Sequence, residues 1–341
     1  MPKVNVRAIV EPFFLNPELC NEVPQPFADW VNTVSTMGVQ LAASVDELQQ
    51  FRNPTICLIA GRTADNPKLF KQCIEKGAKC IFLEKPGAPS VEELREMKSL
   101  AESKHCRVYI GFNKHVTPYV RKALDLAKEI EDSHVFFCHN NSYDAKDLPE
   151  VFTRNAEGMM KNMAIHELAL LNTFFGVTVE TISKFNVNTG TLFSQKLTVL
   201  KPDASMPNPE YVTDFSRCAF KITTTNGTSV SVMADRCGGN ISFAVVKDAN
   251  GAEVRKFEFP DEELLAKVNS KIKEDPEMMP YFFIQSDDYL ELKNRVVNSM
   301  VDGVVASDVA TIDTAIEALR LAEYCTEKLD SALNSAKDYL H

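Results

Sequence analysis

Three short runs, Thr55–Ala60 (TICLIA), Cys80–Leu83 (CIFL) and Arg107–Gly111 (RVYIG), are almost wholly apolar and are separated by amphipathic stretches long enough for helices. A strand that is apolar on both alternating sides must be covered on both faces, and helices packed on a parallel sheet provide that cover. The intervening segments carry helix signals. Pro67–Lys76 is followed by Gly77 as a stop, and Ser90–Ser103 opens on Ser90 with Glu93 completing a capping box. Tyr119–Ile130 reads as a third helix. Upstream, Val4–Val10 (VNVRAIV) reads as a strand, Phe27–Met37 as a helix and Val39–Ala42 as a short strand. Ser44-Val-Asp-Glu47 has capping-box spacing and predicts a helix through Phe51. This alternation predicts βαβ units and a parallel sheet.

From about His134 the pattern changes. Strand-like runs follow at Val135–His139, Thr181–Val187, Phe220–Thr224, Ser229–Met233, Ser242–Lys247 and Glu253–Phe257. Asn226-Gly227 and Asn250-Gly251 each join two of them, a strong hairpin signal, so an antiparallel sheet is expected. A helix is expected over Met163–Phe174 with Gly176 ending it, and two more over Tyr281–Ser299 and Asp313–Lys328. Lys201–Pro209, with three prolines, reads as an excursion at the sheet edge. The fold class is therefore α/β plus α+β. A Rossmann-like first domain is expected over residues 1–130 and an α+β domain with an open, mostly antiparallel sheet over 131–310. A C-terminal helix in 311–341 is expected to return to the first domain.

Composition narrows the functions. With 37 basic and 47 acidic residues in 341, the formal charge is −10, which disfavours a nucleic-acid partner. No apolar run reaches the roughly 20 residues that span a bilayer. The opening MPKVNVRAIVEPFF lacks the features of a secretory signal. The nine cysteines include no C-x-x-C pair and sit mostly in apolar contexts. They read as thiols in a reducing compartment, so a cytoplasmic protein without a metal site is expected.

Three polar clusters stand where chemistry is expected. Glu84-Lys85-Pro86 follows the strand CIFL, outside the carboxyl end of a parallel strand, where open α/β sheets bind ligands. Gly111-Phe-Asn113-Lys114-His115 follows the next strand at the same edge. Asn162 and His166 stand four apart, on one face of the expected helix, and histidine is the commonest general base near neutral pH. Each alone reads as a polar turn or a core histidine. In this order the set resembles the glucose–fructose oxidoreductase / inositol dehydrogenase family (Gfo/Idh/MocA). Its pattern runs E-K-P, then G-x-N-[KR]-[RH], then D-x-x-x-H entering a helix of the second domain. Ser44–Leu48, Arg154 and Ala315–Ala322 also look like family landmarks, and the resemblance spans roughly residues 4 to 328.

The resemblance implies NAD or NADP as cofactor and a small-molecule substrate, a sugar, inositol or similar polyol whose secondary alcohol and ketone are interconverted. Lys85 would lie beside the nicotinamide and the reacting oxygen, and His166 would take the hydroxyl proton. Asn162 occupies the usual aspartate position. Glu11, Ala60, Gly61, Arg62, Glu84, Lys85, Pro86 and Asn113 would line the cofactor site. Lys114, His115, Arg154, Asn162 and His166 would face the substrate. Glu11 favours NAD by repelling a 2′-phosphate, and Arg62 opposes that preference. The open face of the second sheet is expected to be covered by self-association into a homodimer or higher oligomer.

The chain departs from the pattern at its start. The family opens with a G-x-G-x-x-G turn, whereas the first glycine here is Gly38. Aligned on Glu11 and Ser44–Leu48, the chain begins at the family's second strand. Three resolutions are consistent with the sequence. The sheet closes up with the second strand beside the fourth, Val4–Val10 takes the first position, or the sequence is a shortened product. Asn162 for aspartate and Ala169 for a second acidic residue are further departures, and Glu167 points about a quarter turn from His166 on a helix. The competing function is a non-catalytic binding or assembly module that keeps the fold without the dinucleotide.

Overall fold

The computed structural model describes residues 4–16, 18–20, 22–202 and 209–338. The chain divides into two compact units. One holds the residues up to Ile110 together with Asn294–Ala306, and the other holds Gly111–Lys293 together with the residues from Ser307 onward. No helix among the described residues is long and apolar enough to cross a membrane.

In the first unit, β1 (Ala8–Val10) and β2 (Gln40–Ala42) pair in parallel, with α1 (Gln25–Thr36) between them in sequence. Strands β3 (Ile56–Ile59), β4 (Cys80–Leu83) and β5 (Arg107–Ile110) form a second parallel sheet in that order, connected through α2 (Asn66–Glu75) and α3 (Val91–Ser103). The apolar run CIFL is buried on both faces, with none of its residues more than 1% exposed. Ser90 caps α3 by accepting from the Glu93 amide at 3.2 Å and donates to the Glu93 carboxylate at 2.7 Å. Gly77 stops α2 at φ +95°, where a Cβ would press on the Phe51 carbonyl at 3.4 Å.

Ser44 opens only a 3-10 turn, Val45–Glu47, not a helix through Phe51. The following backbone bonds instead to the end of α2: the Lys76 ammonium donates to the Asp46 and Leu48 carbonyls, and the Phe51 amide donates to the Lys76 carbonyl. At the far edge, the Arg107 guanidinium donates to the carbonyls of Ser299 and Gly303, 2.6 Å each, and so fixes residues 294–306 on β5.

Among the described residues no ladder joins the two sheets. β1 pairs only with β2, so the sheet does not close up with β1 beside β3, and β1 does not take a place between β2 and β3. β3 keeps one edge without a strand. Its Leu58 is 60% exposed, although the sequence reads as a doubly covered strand.

The second unit begins with α4 (Pro118–Lys128) and β6 (His134–Asn140), followed by α5 (Leu148–Arg154), α6 (Met159–Asn162) and α7 (Ile165–Phe175). Then come β7 (Ile182–Val187), β8 (Gln195–Leu200), β9 (Tyr211–Thr224), β10 (Ser229–Asp235), β11 (Ser242–Lys247) and β12 (Glu253–Phe259). Three helices close it: α8 (Glu262–Glu274), α9 (Pro280–Asp302), whose residues from Asn294 belong to the first unit, and α10 (Ile312–Asp338). The strands form one sheet in the order β12-β11-β6-β10-β9-β7, with β8 also paired to β9. All ladders are antiparallel except β6–β10. Both Asn-Gly pairs make the expected hairpins, with Gly227 at φ +91° and Gly251 at φ +83°. One face, carrying Val135, Phe137, Phe220, Ile222, Val230, Val232, Ala244 and Val246, is buried, with α4 and α7 packed on the sheet.

The final helix packs on α6, α7 and β7 within the second unit, and residues 294–306 belong to the first. The expected loop Lys201–Pro209 lies for the most part, residues 203–208, outside the described residues. The uneven cover of the first unit gives a direct test. Leu58→Ser is expected to change the unfolding free energy by less than about 0.5 kcal/mol. Phe82→Ala, at a 1% exposed position, is expected to cost about 3–5 kcal/mol in denaturant titration.

Candidate active site

The carboxyl ends of β3 and β4 form one rim in the first unit. β3 runs into Ala60-Gly61-Arg62, and β4 into Glu84-Lys85-Pro86-Gly87. The Glu84 amide donates to the Ile59 carbonyl at 2.9 Å, so the two turns leave the sheet together. Glu84 and Lys85 are half-buried, and Ala60, Gly61 and Arg62 are exposed. Gly87 holds φ +102°, and a Cβ there would meet Leu94 Cδ2 at 3.0 Å. Asn66, the first residue of α2, is 1% exposed and donates through Nδ2 to the Gly87 carbonyl at 3.0 Å. Its Oδ1 is buried without a hydrogen bond. A Cβ on Gly61 would stand 3.4 Å from that oxygen and 2.9 Å from Leu69 Cδ1. Glu11, after β1, turns its Oε1 onto the Phe13 and Phe14 amides at 2.9 and 3.3 Å.

The second unit contributes a buried ionic cluster. Glu167, 1% exposed near the start of α7, accepts from the Lys114 ammonium on one oxygen and from His139 Nδ1 at 3.0 Å on the other. Burial pushes the Glu167 carboxyl up, but the charges and hydrogen bonds of His139 and Lys114 outweigh it and hold the group at about 2. Burial also lowers the Lys114 ammonium, against the pull of Glu167. His166, next in the chain to Glu167, is 9% exposed. Its ring meets the edge of Phe112 at 5.8 Å and that of His139 at 6.1 Å between centroids. Sequence reasoning passed over Glu167 as facing away from His166, and did not consider His139. The available signal was a lone carboxylate in an otherwise apolar helix, which burial obliges to find a cation.

A second buried ion pair holds the start of α6. Arg236, fully buried, donates to Asp214 Oδ2 at 2.7 Å and to the Phe215 carbonyl at 3.3 Å. Asp214 Oδ1 accepts the amides of Met159 at 3.1 Å and Phe215 at 2.8 Å. That carboxylate pins the first turn of α6 after Gly158 at φ +86°. The helix expected over 163–174 is α7, Ile165–Phe175 with Gly176 ending it, and Asn162 ends a separate short helix, α6. Asn162 and His166 do not share one helix face. Asn162 donates through Nδ2 to Glu157 at 3.1 Å.

The other expected residues are placed as follows. Asn113 is 5% exposed and donates to Gln285 Oε1 at 3.2 Å. His115 is fully buried, with Nε2 on Thr173 Oγ1 at 2.9 Å, its ring 5.3 Å from that of Phe174, and burial lowering it to about 4. It packs as a core histidine. Arg154 is exposed on α5 and bonds Glu150 and the Tyr143 hydroxyl. Within the second unit, then, Lys114 and His166 belong to one cluster, and His115 and Arg154 stand outside it.

Residues 23–112 match the model of an oxidoreductase family with an NAD-binding Rossmann fold, Gfo/Idh/MocA. No curated protein matches the chain by sequence. Solved structures share its fold over nearly its whole length. A putative myo-inositol dehydrogenase from Sinorhizobium meliloti aligns with 96% of this chain and 90% of its own, at 12% identity and TM-score 0.61. A probable dehydrogenase from Thermotoga maritima aligns over 97% and 91%, at 12% identity and TM-score 0.65. A scyllo-inositol dehydrogenase from Lactobacillus casei, solved with NAD(H) and scyllo-inositol, aligns over 93% and 86%, at 12% identity and TM-score 0.58. The match to the Gfo/Idh/MocA oxidoreductase family thus covers residues 23–112, and the fold along the chain is that of these solved dehydrogenases.

Proposed function

We propose that the chain is an NAD(P)-dependent oxidoreductase that interconverts a secondary alcohol and a ketone on a sugar, inositol or similar small polyol. The observation that carries the reading is the buried Lys114–Glu167–His139 cluster beside His166. Such a cluster is expensive to bury, and it is the kind of perturbed constellation that marks a site. The nicotinamide, when bound, would supply a hydride acceptor or donor for the carbinol carbon. His166 accepts the hydroxyl proton in the oxidative direction and returns it in the reverse direction. In the first unit Lys85, half-buried after β4, offers a positive charge on the cofactor side. Lys114 is tethered by Glu167 and presents a fixed cation. Asn162 offers an amide to a substrate hydroxyl. Glu11, with Oε1 held by two amides, keeps Oε2 for an adenosine ribose and favours NAD.

The alternative, a binding or assembly module without turnover, draws on one observation: no glycine turn precedes Gly38. Calorimetric titration with NADH and with NADPH separates the two. Micromolar binding supports the enzyme, and a folded chain that binds neither is the module. For the enzyme, Lys85→Ala and His166→Ala are each expected to lower turnover of NAD(P) with polyols by about 10²–10⁴-fold while leaving the circular dichroism spectrum unchanged. Normal turnover in both would remove the assignment.

Glu167 gives a test independent of turnover. Glu167→Gln leaves Lys114 buried without its anion and is expected to cost about 3 kcal/mol of unfolding free energy. The sign with pH follows from the depressed carboxyl. Its folded value of about 2 lies below the ordinary 4.5, so its stabilisation is present above pH 4.5 and is lost as pH falls toward 2. Denaturant midpoints measured across that window should fall for the native protein, and the step should shrink in the Gln variant.

A further inference from the structure

A cavity of about 590 Å³ opens in the second unit, lined by residues of α4, β12, α8 and α9. None of Lys114, Glu167, His139 and His166 lines it. Its apolar lining is Phe257, Leu264, Ile284 and the Tyr119 ring, which stacks on Phe259 at 5.5 Å and 22°. Two buried polar groups in the same lining are short of partners. Tyr119 is 4% exposed, and its hydroxyl makes no hydrogen bond among the described residues. Asp288 is 6% exposed, and its side chain bonds only Thr117. That bond is shared, because the single hydrogen on Thr117 Oγ1 stands between Asp288 Oδ2 at 3.0 Å and the Asn113 carbonyl at 3.1 Å. Asp288 Oδ1 accepts nothing among the described residues. Neither it nor the Tyr119 hydroxyl is sealed off, since each keeps accessible surface. Burial pushes the Asp288 carboxyl up to about 6, with Thr117 opposing the rise and Asp287 adding to it, so the group is ionised at neutral pH. A buried carboxylate without a cation is costly. The basic groups of the cavity are engaged elsewhere or stand in solvent. Lys256 pairs with Glu258 at 2.6 Å and Lys267 with Glu263 at 2.8 Å. The Arg255 guanidinium lies over the Phe257 ring at 5.1 Å, and Lys122 is exposed. Carboxylates outnumber basic groups in the lining by six to four.

We propose that this cavity binds a small aliphatic amine as its ammonium ion, which donates N–H bonds to Asp288 Oδ1 and the Tyr119 hydroxyl oxygen. The surplus of carboxylates selects a cation over an anion. The two acceptors select a cation that carries N–H donors over a quaternary ammonium. The apolar lining takes the alkyl chain, and for a diamine the exposed Glu262 and Asp287 of the same lining face the second ammonium. The site is separate from the oxidoreductase reading and stands whether or not that reading does.

Calorimetric titration near neutral pH and at fixed ionic strength tests this without turnover. The probes are putrescine, its neutral counterpart 1,4-butanediol, and tetramethylammonium. Each is titrated against the native protein, Asp288→Asn and Tyr119→Phe, and thermal melts report how far each variant retains its fold. Putrescine is expected to bind the native protein saturably. Asp288→Asn is expected to weaken it by roughly tenfold or more, and Tyr119→Phe by about threefold. Butanediol and tetramethylammonium are expected to bind the native protein at least roughly tenfold more weakly than putrescine. Absence of saturable putrescine binding by the folded native protein overturns the proposal. So does an unchanged affinity in Asp288→Asn, which would mark attraction to the negative surface at large. Equal affinity for butanediol overturns it in favour of a hydroxyl site, and equal affinity for tetramethylammonium in favour of charge alone. Where Asp288→Asn does not retain the fold, Tyr119→Phe decides, and an unchanged affinity there overturns the proposal.

Discussion

The second unit is organised around one buried carboxylate. Glu167 bonds Lys114 from the turn after β5 and His139 from the end of β6, and it reaches both from α7. Three segments far apart in sequence are thus fixed to one pair of oxygens. The arrangement is strong only as a whole. With Lys114 and His139 in place the carboxyl is held well below its ordinary value, and without them it would be a lone charge in an apolar interior. His166 shares this environment as the residue before Glu167 on α7, with its ring 6.1 Å from that of His139.

Much of this was legible in the sequence where the information is local. The run CIFL had to be a covered strand because nothing in it tolerates water on either side. Ser90 with Glu93, Gly77, Gly176 and the two Asn-Gly turns act through neighbouring backbone, so their spacing sufficed. The family landmarks in Glu84–Pro86 and Gly111–His115 were legible for the same reason.

What escaped depends on distant partners. β8 and the first half of β9 were missed because Asp214 and Arg217 interrupt the alternation of YVTDFSRCAF. Asp214 is compatible with a buried place in β9 only because Arg236, in the turn after β10, meets it. The break between α6 and α7 was invisible for a related reason. MMKNMAIHELALLNTFF is apolar on nearly all sides, so it has no period from which a change of axis could be read. His115 illustrates the converse: a polar residue in a motif position that the fold spends on packing against Phe112 and Phe174.

The uncovered edge of β3 has a consequence for the protein in bulk. A parallel strand with one side unpaired and Leu58 standing out beside it is a template on which another extended chain can add. What opposes such addition between copies is mutual repulsion from the net charge of −10. That charge shrinks as carboxylates take up protons and is screened as salt rises. Mild acid or salt therefore weakens the repulsion that guards this edge well before the buried cluster of the second unit begins to titrate.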